Sequence, residues 1–211
     1  MGASGNKANF NNIRSKFILK KIFNNLEEKK ALKIIKTNKT IRKRLNIDIN
    51  NYKEYSEIKT LIEIDIKLKN NEYGKFINIK KEDEIYYHIY FNNNKEEIKR
   101  NYIKNGEKIK NIKIIIDYHI KSFEDLFKSC KSIESVDFKK FNRNNIDNMC
   151  GMFCVCTSLK ELNIDKFKTN NITNMSFMFN GCMLLKELNL NNFNTNNVTN
   201  MERMFFVCES L

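Results

Sequence analysis

The chain has 211 residues, of which 41% are hydrophobic and 11% aromatic, so it can bury a core and is not a disordered sequence. Its net charge of +13 lies mainly near the N-terminus: residues 1–60 contain 15 basic and five acidic residues, whereas residues 133–211 contain eight of each. The neutral C-terminal part is therefore not expected to bind nucleic acid.

The first 12 residues, MGASGNKANFNN, contain no apolar run of the kind that a secretory signal needs. No later stretch reaches the roughly 18 consecutive apolar residues of a membrane-spanning helix. We therefore expect residues 1–12 to be a disordered tail, and the protein to be cytoplasmic with no transmembrane segment.

Residues 13–50 are predicted to form a small basic helical domain of three short helices, with boundaries near Asn24-Asn25 and Asn38-Lys39. Within it the order I-L-x-x-I-F-x-x-L resembles the core of an F-box. The resemblance implies binding to the adaptor subunit of a ubiquitin ligase, through Ile18, Leu19, Ile22, Phe23 and Leu26. A small helical cap without this activity is the alternative.

Residues 51–118 are predicted to be β-rich. Ile62 to Leu68 alternate cleanly between apolar and polar residues, and Glu84 to Phe91 are rich in β-forming residues. Turns are predicted at residues 70–74 and 92–94, where asparagines cluster. We expect this segment to cap the fold that follows it.

Residues 119–211 repeat with a period of 26 residues. One series is Cys130, Cys156, Cys182 and Cys208, and another is Ile133, Leu159, Leu185 and Leu211. Each unit has the L-x-x-L-x-L pattern of a half-buried strand, followed by apolar residues at helical spacing. Because neither element can bury its apolar face alone, the units are expected to stack.

The predicted fold class is therefore α/β: a leucine-rich-repeat solenoid of parallel strands and short helices, preceded by a β-rich cap and a small N-terminal helical domain. The first strand of the solenoid is predicted at Ile112, Ile114 and Ile116. Since Leu211 occupies a repeat position, we expect the repeats to continue beyond it.

The order N-x-T-N-M-x-x-M-F-x-x-C-x-x-L, which runs from Asn171 to Leu185, resembles the BspA-like leucine-rich-repeat family. Members of that family are usually regarded as adhesive or interaction modules. The resemblance implies a protein-binding role, either as an intracellular scaffold or as a surface adhesin of the exported kind.

The sequence does not favour catalysis. It has no P-loop, G-x-S-x-G or H-E-x-x-H motif. Four of the six cysteines follow the 26-residue period, which indicates packing, and only Cys150 and Cys154 remain as metal ligands. We therefore expect no enzyme activity, no metal and no cofactor.

The candidate binding surface is the strip of polar residues between the strand leucines, on the concave face of the predicted solenoid. A protein partner of unknown identity is expected to bind it through extended contacts. The strip comprises Ser135, Asp137, Lys139, Glu161, Asn163, Asp165, Glu187, Asn189 and Asn191.

Overall fold

The computed structural model describes residues 13–24, 26, 28–46, 61–69, 72–117, 120–141, 143 and 145–211. Contacts between Cα atoms divide the chain into two compact units, residues 1–59 and residues 60–211. Within the described ranges, no helix has both the length and the apolar character needed to cross a membrane. The predicted disordered tail, residues 1–12, lies outside the described residues.

The first unit contains three short helices: α1 (Lys16–Asn24), α2 (Glu28–Thr37) and α3 (Lys39–Leu45). The side chain of Asn38 caps α3 by accepting a hydrogen bond from the backbone N–H of Ile41 at 3.0 Å, so the boundary predicted there is confirmed. The buried hydrophobic residues form one small cluster: Leu19, Phe23, Ala31, Ile35, Ile41 and Leu45.

The second unit contains the strands β1 (Ile62–Leu68), β2 (Gly74–Lys75), β3 (Tyr87–Phe91), β4 (Glu97–Ile98), β5 (Tyr102–Ile103), β6 (Asn111–Ile116), β7 (Ile133–Phe141) and β8 (Glu161–Asn163), with a 3-10 helix at Lys81–Tyr86. Six of these strands form one sheet in the order β4-β3-β6-β1-β7-β8. All neighbours are antiparallel except β7 and β8, which are parallel. A further pair, β2 and β5, is separate.

The strand predicted at Ile62–Leu68 is confirmed as β1, in which alternate side chains are buried. The strand predicted at Glu84–Phe91 begins only at Tyr87, after the 3-10 helix. The prediction that Ile112, Ile114 and Ile116 form the first strand of a parallel array is wrong. They belong to β6, which lies between β1 and β3 and runs antiparallel to both.

Residues 120–211 consist largely of consecutive turns. The backbone N–H groups of residues 149, 151, 153 and 155 donate hydrogen bonds to the carbonyl oxygens of residues 174, 176, 178 and 180. The same pattern joins residues 123–129 to 148–154, and residues 175–181 to 200–206. Several residues within these turns have positive φ angles, for example Gly151 (60°) and Gly181 (73°).

Phenylalanines 26 residues apart stack on one another in this region. The ring centroids of Phe127 and Phe153 are 5.4 Å apart, those of Phe153 and Phe179 are 5.9 Å apart, and those of Phe179 and Phe205 are 5.5 Å apart. The rings of Phe127, Phe153 and Phe179 belong to the hydrophobic core of this unit, whereas Phe205 is 41% exposed. The 26-residue spacing is therefore visible as contacts between side chains.

The predicted fold class is nevertheless wrong. The structure is mainly a mixed six-stranded sheet with few short helices, and it does not show an array of strand-plus-helix repeats. The segments predicted as repeat helices form turns. Alternate N–H groups bond to carbonyl oxygens about 25 positions away, and those between them bond three residues back instead of the four residues of an α-helix. The N-terminal helices enclose only a small cluster, not the helical domain that was predicted.

Candidate functional site

The polar strip predicted from the sequence lies on the solvent-facing side of β7 and β8 and on the segments that follow. The parallel pairing places Ser135 beside Glu161 and Asp137 beside Asn163. Eight of the nine predicted residues line one open groove of about 690 Å³. Asn191 is exposed but is not part of the groove lining.

Hydrogen bonds between neighbouring segments order the middle of the groove. Lys139 forms an ion pair with Asp137, and the side-chain amide of Asn163 donates to Asp137 Oδ1 at 3.1 Å. The backbone N–H of Asp165 donates to Asn163 Oδ1 at 3.2 Å. The side chains at the groove centre are therefore positioned before any partner binds.

Three carboxylates of the groove have no such partner. Among the residues that the structure describes, no Lys, Arg or His nitrogen forms an ion pair with Glu161, Asp165 or Glu187, and all three residues are exposed. Lys160, which also lines the groove, forms an ion pair at 2.7 Å with Glu134, a residue outside the groove lining. The groove thus offers unpaired negative charge on its β8 side.

Sequence reasoning missed six residues that line the groove: Asp65 and Lys67 of β1, together with Val136, Lys160, Leu162 and Lys186. The antiparallel register places Asp65 opposite Asp137 and Lys67 opposite Ser135. Burial raises the pKa of Asp65, and the nearby charges of Lys139 and Lys113 oppose that effect only partly. The alternation in β1 showed that these side chains point away from the core, but not which strand lies beside them.

Glu63 fixes three strands on the same polar face. Its two carboxylate oxygens bind Lys113 Nζ of β6 at 2.5 Å and Lys140 Nζ of β7 at 2.7 Å. Hydrogen bonds from these two ammonium groups hold the pKa of Glu63 below its ordinary value of 4.5. Glu63 therefore braces the sheet beside the groove and does not line it.

Three of the four cysteines that follow the 26-residue period, Cys130, Cys156 and Cys182, lie in the core, as the packing interpretation predicted, and Cys208 is partly buried against it. The thiols of Cys156 and Cys182 donate to the carbonyl oxygens of Phe127 and Phe153, at 2.9 and 3.2 Å. Burial raises the pKa of Cys182 to about 12 and that of Cys130 to about 12. Across the described ranges, no group of three or more His, Cys, Asp or Glu residues is arranged to hold a metal ion.

The residues suggested by the F-box-like order fall on both sides of α1 and its C-terminal end. Leu19 and Phe23 are buried in the small helical cluster, and Leu26 packs against it. Ile18 and Ile22 are exposed by 50% and 36%. Only part of the predicted adaptor-binding set is thus on the surface, and adaptor binding stays a prediction.

The C-terminal part of the chain is similar in sequence to one protein family. Residues 121–211 match a family described as "Mycoplasma protein of unknown function, DUF285". Neither a curated protein nor a solved structure matches the chain. The chain is therefore similar, over residues 121–211, to a family for which no activity is described.

Proposed function

We propose that the protein is a non-catalytic interaction module that binds a partner protein on the polar face of its sheet. The observation that carries the proposal is the groove: residues from β1, β7, β8 and the segment after Leu185 converge on one open surface. A surface assembled from four separate segments can make the extended contacts typical of protein recognition.

The charges of the groove suggest how it would recognise a partner. Exposed carboxylates at Glu161, Asp165 and Glu187 share the groove with Lys67, Lys160 and Lys186, so the groove presents charges of both signs. Such a pattern contributes more to specificity and association rate than to affinity. We therefore expect partner binding to weaken as salt concentration rises.

The test is affinity purification of the full-length chain from its own cells, followed by mass spectrometry. The variant carries Glu161→Lys, Asp165→Lys and Glu187→Lys together. Because all three side chains are exposed and unpaired, we expect the variant to fold and to lose the partner. Circular dichroism checks the folding.

A matched control changes Glu124, Glu202 and Glu209 to lysine. These residues are exposed and lie outside the groove, so the net charge changes equally. The wild type and the control should recover the same partner. Equal recovery by the groove variant would show that the groove is not the binding surface, and co-purification of a ligase adaptor would point to α1 instead.

A further inference from the structure

The sequence contains two Asn–Gly steps, at Asn105 and at Asn180, and the structure places them in opposite environments. The first lies in a turn between β5 and β6, where Asn105 and Gly106 are both exposed. The second lies in the consecutive turns of residues 120–211, where Gly181 is buried. Because glycine has no side chain, its backbone nitrogen is less hindered than that of any other residue.

The groups of the Asn105 step are free to react. Among the residues that the structure describes, none accepts a hydrogen bond from the N–H of Gly106, and none bonds to the Asn105 side chain. A Cβ atom built on Gly106 would meet nothing within 4 Å. The Gly106 nitrogen and the Asn105 amide therefore do not have to give up a hydrogen bond to the protein before they approach each other.

The backbone of the Asn180 step is held on both sides. The N–H of Gly181 donates to the carbonyl oxygen of Phe206 at 2.8 Å, and the carbonyl oxygen of Asn180 accepts from the N–H of Val155 at 2.7 Å. A Cβ atom built on Gly181 would lie 3.4 Å from the Cα of Val155, so the packing there is close. Reaction at Asn180 therefore requires the neighbouring turns to separate first.

We propose that Asn105 is a site of spontaneous covalent modification, namely deamidation through a succinimide. Water or hydroxide removes the proton of the Gly106 N–H, and the nitrogen attacks Cγ of the Asn105 side chain. A C–N bond forms there, the bond from Cγ to the amide nitrogen breaks, and ammonia leaves. Water then opens the five-membered ring at either of its two carbonyl carbons, which yields aspartate or isoaspartate at position 105.

The modification changes the turn that holds Arg100. The N–H of Lys104 donates to Glu107 Oε2 at 2.8 Å, and the same carboxylate accepts from Nη1 and Nη2 of Arg100 at 2.8 and 2.6 Å. Isoaspartate lengthens the main chain between Lys104 and Glu107 by one carbon atom, and both products add a negative charge beside that carboxylate. We therefore expect hydrogen exchange at the N–H groups of Lys104 and Glu107 to be faster in the modified protein.

The test is incubation of the full chain at mildly alkaline pH in water labelled with a heavy oxygen isotope, followed by digestion in ordinary water and peptide mass spectrometry. Each ring opening incorporates one labelled oxygen, so only deamidation during the incubation is counted. We expect Asn105 to be labelled at least about tenfold faster than Asn180, because Asn180 reacts only after a buried hydrogen bond is broken. Methylation by an isoaspartyl methyltransferase identifies isoaspartate independently.

Unfolding provides the matched control, because both asparagines precede a glycine. In concentrated guanidinium chloride, Asn105 and Asn180 should react at similar rates, so the difference seen in the native protein should disappear. Asn105→Ser, at an exposed position, should fold normally and remove the label from that peptide while leaving Asn180 unchanged. The proposal is overturned if Asn105 stays unlabelled in the native protein, or if both asparagines react equally fast there.

Discussion

The fold shifts the pKa values of two carboxylates of β1 in opposite directions. Replacing each carboxylate by its amide should therefore change the free energy of unfolding with opposite signs. Glu63 is paired with two lysines, which lowers its pKa, whereas burial raises the pKa of Asp65, which lies opposite Asp137. A lowered pKa stabilises the folded state above the unfolded pKa, and this stabilisation is lost as pH falls through the folded value. A raised pKa does the reverse: the favourable contribution exists below the unfolded pKa and is lost as pH rises through the folded value.

At about pH 7 we therefore expect Glu63→Gln to lower the free energy of unfolding by about 1 kcal/mol, the sum expected for two partly exposed ion pairs. Asp65→Asn should raise it by about 0.5 kcal/mol, because like charges directly opposite each other on neighbouring strands are destabilising. Urea unfolding followed by circular dichroism gives both values.

The pH dependence provides the internal control for this pair of variants. The decrease in unfolding free energy caused by Glu63→Gln should become smaller as pH falls below the ordinary Glu pKa of 4.5, because the wild-type carboxylate then becomes protonated. The gain from Asp65→Asn should also disappear at low pH, where Asp65 is neutral in the wild type. If both variants changed the free energy of unfolding in the same direction at neutral pH, the reasoning would be refuted. Glu63 would then not be stabilised by its ion pairs, or Asp65 would not be destabilised by burial.

Two further predictions concern the turns of residues 120–211. Gly151→Ala and Gly106→Ala both place a side chain at positive φ (60° and 83°), but only at Gly151 would the new Cβ collide with the Asp125 carboxylate. Because the half-exposed Asp125 side chain can turn aside only by giving up its ion pair with Lys128, Gly151→Ala should cost about 0.5 kcal/mol more in urea unfolding, and equal losses would contradict the close contact. Thiol alkylation of the native protein, followed by mass spectrometry, should modify the partly exposed Cys150 well before the buried Cys130, Cys156 and Cys182. Equally fast labelling of Cys182 would contradict its burial.

Local patterns predicted the parts of the fold that short segments decide. The alternation at Ile62–Leu68 identified β1, and Asn38 marked the start of α3 because its side chain can satisfy a free helix N–H. The 26-residue period likewise identified residues that stack, among them Phe127, Phe153 and Phe179. In each case the physical cause lies within the segment or in its repetition.

The same patterns gave wrong predictions where backbone groups form hydrogen bonds with residues far away in the sequence. Apolar residues spaced by three and four fit an amphipathic helix, but they fit consecutive turns equally well when neighbouring segments accept the N–H bonds. Residues such as Val155 and Phe177 have φ near 58° and 56°, a conformation that no sequence rule assigns to them. The contacts with residues about 25 positions away select it, and those contacts are not visible in any one segment.

The candidate site shows the same division. The strip from Ser135 to Asn189 was predictable because it needs only the alternation of side chains along each repeat. The contribution of β1 was not, because the pairing of Asp65 with Asp137 joins residues that lie more than 70 positions apart. Since β1 brings an unpaired, partly buried carboxylate to the groove, the strand that the sequence assigned to a cap becomes part of the surface that would recognise a partner. Partner binding should then respond to Asp65→Asn as well as to changes in the repeats.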